Sequence, residues 1–532
     1  MYDYVIVGAG SAGCVLAARL SEDPDVSVAL LEAGGPDSRS EIAMPAAFPM
    51  LLKSSVDWDL LGEVEPGLGG RRLYLPRGKV IGGSGSLNAM IYVRGNRADY
   101  DEWAAGGAEG WGYDEVLPYF KRSEDNERGE DLFHGAGGPM SVSDSRAMSP
   151  MIETMIEASV LAGHEHNPDF NGARQDGVGR FQLTQRNGRR CSTAAAFLHP
   201  AEVRPNLHVI TDALALGIRF DGARAVGVEV ARGGTVEGIR AERDVILSAG
   251  AYQSPVLLML SGIGPAEDLE AYGIEVRANL PVGHNLQDHC MAQLNYETDE
   301  PSLHGAFARP NFELFEAEGR GPLTSNIPEA GGFFRTRPGL DAPDLEFHYA
   351  PSMFYDEGLT APHDSGYCFG PVVIKPTSRG RVLLRAPLPD SKPRVLCNFL
   401  TTEEDRRCMI AGIRMALEIA AQEPLRKAAR KAFSVPAGDS DEEIMDFVRR
   451  VGQSVYHPTS TCAIGSVVDP HLRVYGVDGL RVADASVMPT ITRANTNAAT
   501  IMIAEKAADL IRERTLEPAS TEESVSSHSP AS

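Results

Sequence analysis

Gly8, Gly10 and Gly13 stand in the run Tyr4-Val5-Ile6-Val7-Gly8-Ala9-Gly10-Ser11-Ala12-Gly13, a G-x-G-x-x-G fingerprint fed by four strand-favouring residues. The glycines permit a tight turn and let the backbone approach a pyrophosphate, whose charge rests on the amides at a helix start, here Ser11 and Ala12. A second apolar run, Val26-Ser27-Val28-Ala29-Leu30-Leu31, ends at Glu32. An acid at that strand tip accepts hydrogen bonds from a ribose hydroxyl and disfavours a 2′-phosphate. Strand, turn, helix and acid together predict a dinucleotide site, and leave NAD and FAD equally open. A possible acid–base group lies far downstream, in Val455-Tyr456-His457-Pro458-Thr459-Ser460-Thr461-Cys462. An imidazole among small polar residues titrates near neutrality; a structurally hydrogen-bonded histidine is the plain alternative. His284 and His289 lack the spacing of a metal pair, and no metal site is expected.

The elements that must position these groups fall into alternating segments. Residues 1–148 read as the first part of a dinucleotide domain, residues 36–75 within it as loops and turns. They include the loop Gly78-Lys79-Val80-Ile81-Gly82-Gly83-Ser84-Gly85-Ser86-Leu87-Asn88, whose small residues suit a backbone pressed flat against a ligand. The charged run Lys121 to Asp131 reads as a solvated loop. Ser149-Pro150 opens a helix with Met151, Ile152, Met155, Ile156 and Val160 on one face, and 149–190 reads as a first piece of a second domain. Residues 191–290 return to the dinucleotide domain, where Asp244-Val245-Ile246-Leu247-Ser248-Ala249 is a buried strand ending in small residues. Residues 291–450 alternate short strands with helices, one opening at Thr402 and one at a capping box, Ser440-x-x-Glu443. Residues 451–515 close the dinucleotide domain with a helix from about Asn497, and 516–532 read as a disordered tail.

The 532 residues allow two or three domains. A net charge of −23 argues against nucleic acid as a partner. The seven scattered cysteines, with no C-x-x-C, fit reduced thiols. No apolar run is long enough to span a bilayer and no signal-peptide pattern precedes the first strand, so the expectation is a cytoplasmic protein.

Taken together, the fingerprint with Glu32, the loop from Gly78 to Asn88, Gly250-Ala251-Tyr252-Gln253-Ser254-Pro255 through Gly264, Pro281-Val282-Gly283-His284-Asn285-Leu286-Gln287-Asp288-His289, and the His457 and Asn497 segments resemble the glucose–methanol–choline (GMC) oxidoreductases, nearest their choline-dehydrogenase-like branch. The resemblance runs from Tyr4 to about Arg512. It implies an α/β fold: a Rossmann-like FAD-binding domain with a second, α+β substrate-binding domain whose antiparallel sheet is covered by helices. It implies FAD held by Gly8, Gly10, Ser11, Ala12, Gly13, Glu32, Ala33, Gly82, Gly83, Ser84, Asn88, Ala89, Val93, Ala249, Asp484, Ala485, Ala498 and Thr500. It implies oxidation of a primary alcohol to an aldehyde, with His457 taking the hydroxyl proton, Asn497 bonding the same oxygen and hydride passing to flavin N5; oxygen or a quinone-type acceptor takes the electrons. Hydroxynitrile-lyase chemistry is the alternative on the same fold. Leu87 stands where some members carry a flavin-attaching histidine, so non-covalent FAD is expected. Glu346, Tyr349, Phe354, Tyr355 and Asp356 could form a cage for a quaternary ammonium, though ordinary strand and loop roles are the favoured reading of them.

Overall fold

Tyr4, Val5, Ile6 and Val7 are buried on both sides of their strand, and the neighbours of Tyr2–Val7 say why. In the computed structural model, which describes residues 1–147 and 149–519, this strand lies between two parallel partners. Val28–Leu31 runs along one edge (Val5 opposite Ala29, Ile6 opposite Leu30), and the end of Thr235–Leu247 along the other (Val5 opposite Val245). Leu207–Ile210 extends the sheet beyond Val28–Leu31, and Leu480–Val482 pairs with Val245, Ile246 and Leu247. The other half of Thr235–Leu247 joins Arg224–Arg232 and Leu214–Asp221 in an antiparallel meander. Central parallel strands are covered on both faces, which is why they read as unbroken apolar runs. The helices Ser11–Leu20 and Thr496–Ile511 pack side by side on one of those faces.

A second sheet is antiparallel throughout, in the order Ala429–Ser434, Leu294–Thr298, Gly366–Val373, Leu345–Ala350, Ala330–Phe334, Gly177–Arg180. Its strands alternate. Leu345, Phe347 and Tyr349 belong to the core under the helices Glu403–Ala420 and Pro150–Leu161, while Glu346, His348 and Ala350 point the other way, toward the first sheet. Thr402 caps Glu403–Ala420, and the Ser440–Glu443 capping box is formed. The two sheets therefore draw their strands from alternating stretches of chain.

Several local expectations change. Residues 36–75 hold short helices and a hairpin, Leu60–Glu65 with Arg71–Leu75. The charged run is half structured: Tyr113–Ser123 is a helix, and Glu124 is fully buried against Arg94. Val160 is exposed, unlike its helix neighbours Met151, Ile152, Met155 and Ile156. Of the expected tail, Ala519 N–H bonds the Asp114 carbonyl; residues 520–532 lie outside the described residues.

Candidate active site

Four strands of the first sheet end together, and the residues just past their carboxyl ends line one cleft of about 320 Å³: Gly8, Glu32, Ala249 and Asp484. Gly8 takes φ +101, and a Cβ there would fall 2.6 Å from the Ser248 carbonyl, so only glycine fits. Gly10 precedes the helix Ser11–Leu20 and offers no capping side chain, which leaves the first amides of the helix to a ligand. Glu32 is buried, its two carboxylate oxygens accepting from the N–H groups of Ala9 (2.9 Å) and Gly34 (2.8 Å). Burial pushes its carboxyl up to about 7. Asp484 spends both oxygens on the protein: Oδ2 accepts from Gly250 N–H and Ser254 Oγ, Oδ1 from Ser486 N–H.

The glycine loop crosses directly over the fingerprint turn. Gly82 N–H donates to the Ala9 carbonyl at 2.7 Å, and a Cβ on Gly83 would meet Gly10 Cα at 2.6 Å. Its small residues are thus needed first against another stretch of backbone, and beyond it Gly83, Ser84, Asn88 and Ala89 line the cleft. Arg190 anchors the loop from behind. It is buried and donates only to uncharged oxygens: Ile42 O at 2.8 Å, Gly85 O at 3.2 Å, Asn88 O at 2.6 Å and Asn88 Oδ1 at 2.7 Å. Burial pulls its guanidinium down to about 9.

At the far end of the cleft His457 meets a second histidine that sequence reasoning gave no role. His457 Nδ1 lies 3.0 Å from His289 Nδ1, the rings edge to face. His457 Nε2 lies 3.2 Å from the Asn495 side-chain amide nitrogen. That nitrogen is a donor, so Nε2 presents a lone pair and Nδ1 carries the hydrogen toward His289. A single buried carboxylate sets both histidines: Asp288 Oδ1 accepts from His289 N–H (2.8 Å) and His457 N–H (2.7 Å), while Ser454 Oγ donates to Oδ2. Tyr456, just before the base, is held in the left-handed region at φ 68, its carbonyl gripped by Arg77. Burial and the neighbouring His289 hold His457 well below the ordinary imidazole range, and burial takes His289 to about 3; both rings are neutral at pH 7.

Asn497 does not join this group. Its Oδ1 accepts from Ser11 Oγ at 2.6 Å, on the fingerprint side of the cleft. The helix begins at Thr496, so Asn495 precedes the first turn and Asn497 lies inside it, two positions on and facing away. Asn495 is the residue against His457. Most expected cofactor contacts line the cleft: Gly8, Gly10, Ser11, Ala12, Glu32, Ala33, Gly83, Ser84, Asn88, Ala89, Ala249, Asp484, Ala485, Asn497 and Thr500, with His457. Gly13, Gly82, Val93 and Ala498 do not line it. A Cβ on Gly13 would meet the Gly8 carbonyl at 1.9 Å, so it serves helix-to-turn packing; Gly82 braces Ala9; Val93 and Ala498 sit in the cores. Of the five residues considered for a quaternary-ammonium cage, only Phe354 lines the cleft; Tyr349 faces the helices and bonds Ser159.

These residues fit FAD. Two helix starts without side-chain caps, before Ser11 and before Thr496, face one elongated cleft. Its chemical end keeps buried polar atoms with no hydrogen-bond partner among the described residues: Asn495 Oδ1 and Gln293 Oε1. Comparison with known proteins agrees. Family models described as GMC oxidoreductase match residues 2–291 and 376–504. The chain is 43% identical to human mitochondrial choline dehydrogenase over 96% of its length and 90% of that protein, and 42% identical to Pseudomonas putida alcohol dehydrogenase [acceptor] over 96% of each. Among solved structures it is similar to pyridoxine 4-oxidase of Mesorbium loti (TM-score 0.89, 32% identity, 97% and 100% of the two chains) and to formate oxidase of Aspergillus oryzae, whose FAD is described as modified (TM-score 0.90, 28% identity, 96% and 98%).

Proposed function

Because the chain belongs to the GMC oxidoreductase family, FAD-dependent enzymes acting on CH–OH donors, we propose that it oxidises a primary alcohol to an aldehyde with His457 as base. The observation that carries this reading is the pairing of a lone pair and a donor: His457 Nε2 and the Asn495 amide nitrogen, 3.2 Å apart at one end of the cleft. An alcohol placed there gives its O–H to Nε2 while its oxygen accepts from the amide. As the proton leaves, the amide stabilises the charge left on oxygen. Bound FAD supplies the two-electron hydride acceptor. A buried, neutral imidazole is a weak base, so His457 takes the proton only as the substrate is oxidised and does not accumulate a free alkoxide. His289 accepts the Nδ1 hydrogen bond and orients the ring; Asp288 fixes both backbones.

Substrate selection favours a neutral alcohol over choline. The acidic residues lining the cleft, Glu32 and Asp484, belong to the strand ends of the first sheet and are engaged by protein donors. The test is anaerobic: the yellow protein is mixed with choline, benzyl alcohol, hydroxymethylfurfural and short aliphatic alcohols, and loss of flavin colour is followed. Bleaching by one class is expected, slowed about 10²- to 10⁴-fold in His457→Gln. A flavin bleached by none of them, with cyanohydrin cleavage observed, would replace this reading with a lyase. Admitting air then times recolouring and separates oxygen from a quinone-type acceptor.

A further inference from the structure

Arg77 lines the cleft, and its guanidinium forms no ion pair among the described residues. Nε donates to the Pro76 carbonyl and Nη2 to the Tyr456 carbonyl at 2.5 Å, with the group 5.8 Å from the centre of the Tyr252 ring. The main chain that carries it is fixed on both sides. Arg77 N–H donates to Asp57 Oδ1 at 3.0 Å, and Trp58 N–H donates to the Arg77 carbonyl at 2.8 Å. A guanidinium keeps its charge at any working pH, so what it holds does not depend on a titration.

The Tyr456 carbonyl and the His457 N–H belong to one planar peptide group. Arg77 holds the oxygen end and Asp288 Oδ1 the hydrogen end, the latter at 2.7 Å. A cation and a carboxylate thus bracket the peptide dipole with matching polarity. The bracket offsets a strain: Tyr456 sits at φ 68, where a residue with a Cβ is disfavoured. Pro458 comes next and confines His457 to extended backbone. The orientation of the Tyr456–His457 peptide therefore decides where the imidazole points. The Tyr456 ring is held separately, its hydroxyl donating to the Glu357 carbonyl at 3.1 Å.

We propose that Arg77 is a positioning residue for the oxidation: by holding the Tyr456 carbonyl it keeps that residue in the left-handed region and so keeps His457 Nε2 beside Asn495. This rests on the reading of His457 as base. Arg77 acts through the peptide and touches neither the alcohol nor the proton it loses.

The test places Arg77→Met in wild type and in two backgrounds, Tyr456→Ala and Tyr456→Gly. Both backgrounds remove the ring; only glycine takes the left-handed region without strain. The FAD-loaded proteins are reduced anaerobically with the alcohol that bleaches wild type fastest, and flavin content is recorded from the visible spectrum. Without Arg77 an alanine peptide relaxes and few molecules keep Nε2 aimed, whereas glycine populates both conformations. Arg77→Met is expected to slow flavin reduction about 10-fold in wild type and Tyr456→Ala but within about 3-fold in Tyr456→Gly, with flavin content unchanged. Urea midpoints move the other way. Relaxation returns the strain energy, so Arg77→Met lowers the midpoint less in Tyr456→Ala than in Tyr456→Gly. Tyr456→Asn, whose side chain tolerates the left-handed region, is expected to follow glycine and replaces it should the glycine variant not fold. Equal losses of rate in the alanine and glycine backgrounds overturn the proposal, because Arg77 would then act directly on flavin or alcohol. Equal falls in midpoint overturn it as well. Unequal midpoints, with His457→Gln as fast as wild type or with no alcohol bleaching the flavin, would instead sink the base reading and leave the hold of Arg77 on Tyr456 standing.

Discussion

The histidine pair and the asparagine beside it are where single residues decide the chemistry. Asn495 and Asn497 are two positions apart and do different work: one faces His457, the other Ser11. Asn495→Ala is expected to lower the rate of flavin reduction by roughly 10²-fold, the loss of one transition-state donor, with FAD retained. Asn497→Ala is expected to loosen FAD while changing the reduction rate of the loaded enzyme much less. Stopped-flow reduction beside a flavin-release assay separates them, and equal losses of rate would refute the assignment. Asp288 gives a pH dependence. Burial pushes its carboxyl up to about 6, and as an anion it accepts three hydrogen bonds around the two histidines. Protonation turns one acceptor into a donor, so activity is expected to fall as pH drops through about 6, with little loss between 8 and 7 because His457 is already neutral there. Stability moves the other way. A folded-state pKa above the unfolded one means the native state binds the proton more tightly, so Asp288 favours folding below about pH 4 and loses that contribution as pH rises through 6. The rate profile and a urea midpoint at pH 5 and pH 7, in wild type and Asp288→Asn, check both signs. An acid limb centred near pH 7 would contradict the neutral base.

What places these residues is a set of short, irregular elements. Cys290–Met291 and Gln453–Ser454 pair with each other, and Val455 N–H bonds the His289 carbonyl at 3.0 Å; this brings together histidines 168 positions apart. Periodicity in the sequence carries no trace of so distant a pairing, which is why the motif ending in His289 was legible as a resemblance while its role was not. The fingerprint strand, the turn, Glu32 and the capped helices were legible because local sequence determines them. The role given to Asn497 came from the resemblance alone, and the run Asn495-Thr496-Asn497 offers two asparagines for it. Successive side chains in a helix turn about 100°, so residues two positions apart face different ways, and only the fold shows that Asn495 is the one beside His457 while Asn497 is beside Ser11. The final helix is pinned by its far end. Glu505 is fully buried and bonded by Arg19 (2.8 Å) and Arg122 (2.7 Å), with Asp509 also on Arg122. Glu505→Ala leaves two partly buried guanidinium groups short of a partner and is expected to cost about 3 kcal/mol, read as a lowered urea midpoint. Because the same helix presents Asn497 and Thr500 to the cleft, the variant is also expected to release FAD more readily than an equally destabilising core variant such as Ile413→Ala. Equal retention in both would separate the clamp from the site.

On the scale of the whole molecule the cleft lies between the two sheets, and FAD held there would form a third layer. The first sheet contributes strand ends and helix amides; the second contributes the face bearing Met291, His348 and Phe354. Neither set is contiguous in the chain, so bound FAD would tie separate stretches together and should stabilise the fold by mass action. At a free FAD concentration 100 times its Kd this linkage is worth about 2.7 kcal/mol. Such linkage presumes a ligand that can leave. The loop from Gly82 to Met90 contains no imidazole, thiol or phenol that could bond the flavin, and Leu87 is packed with Ile42, Leu51, Val56 and Val80. FAD is therefore expected to be fully released by denaturation and filtration, and the released-flavin protein, refolded, should regain its higher melting temperature on adding FAD, by a few degrees and in a concentration-dependent way. Flavin retained by the denatured chain would overturn this. It would also move attention to the other nucleophiles on the cleft wall, Tyr252, His348, Cys368, Tyr456 and His457, where peptide mapping of the yellow fragment would then look for the bond.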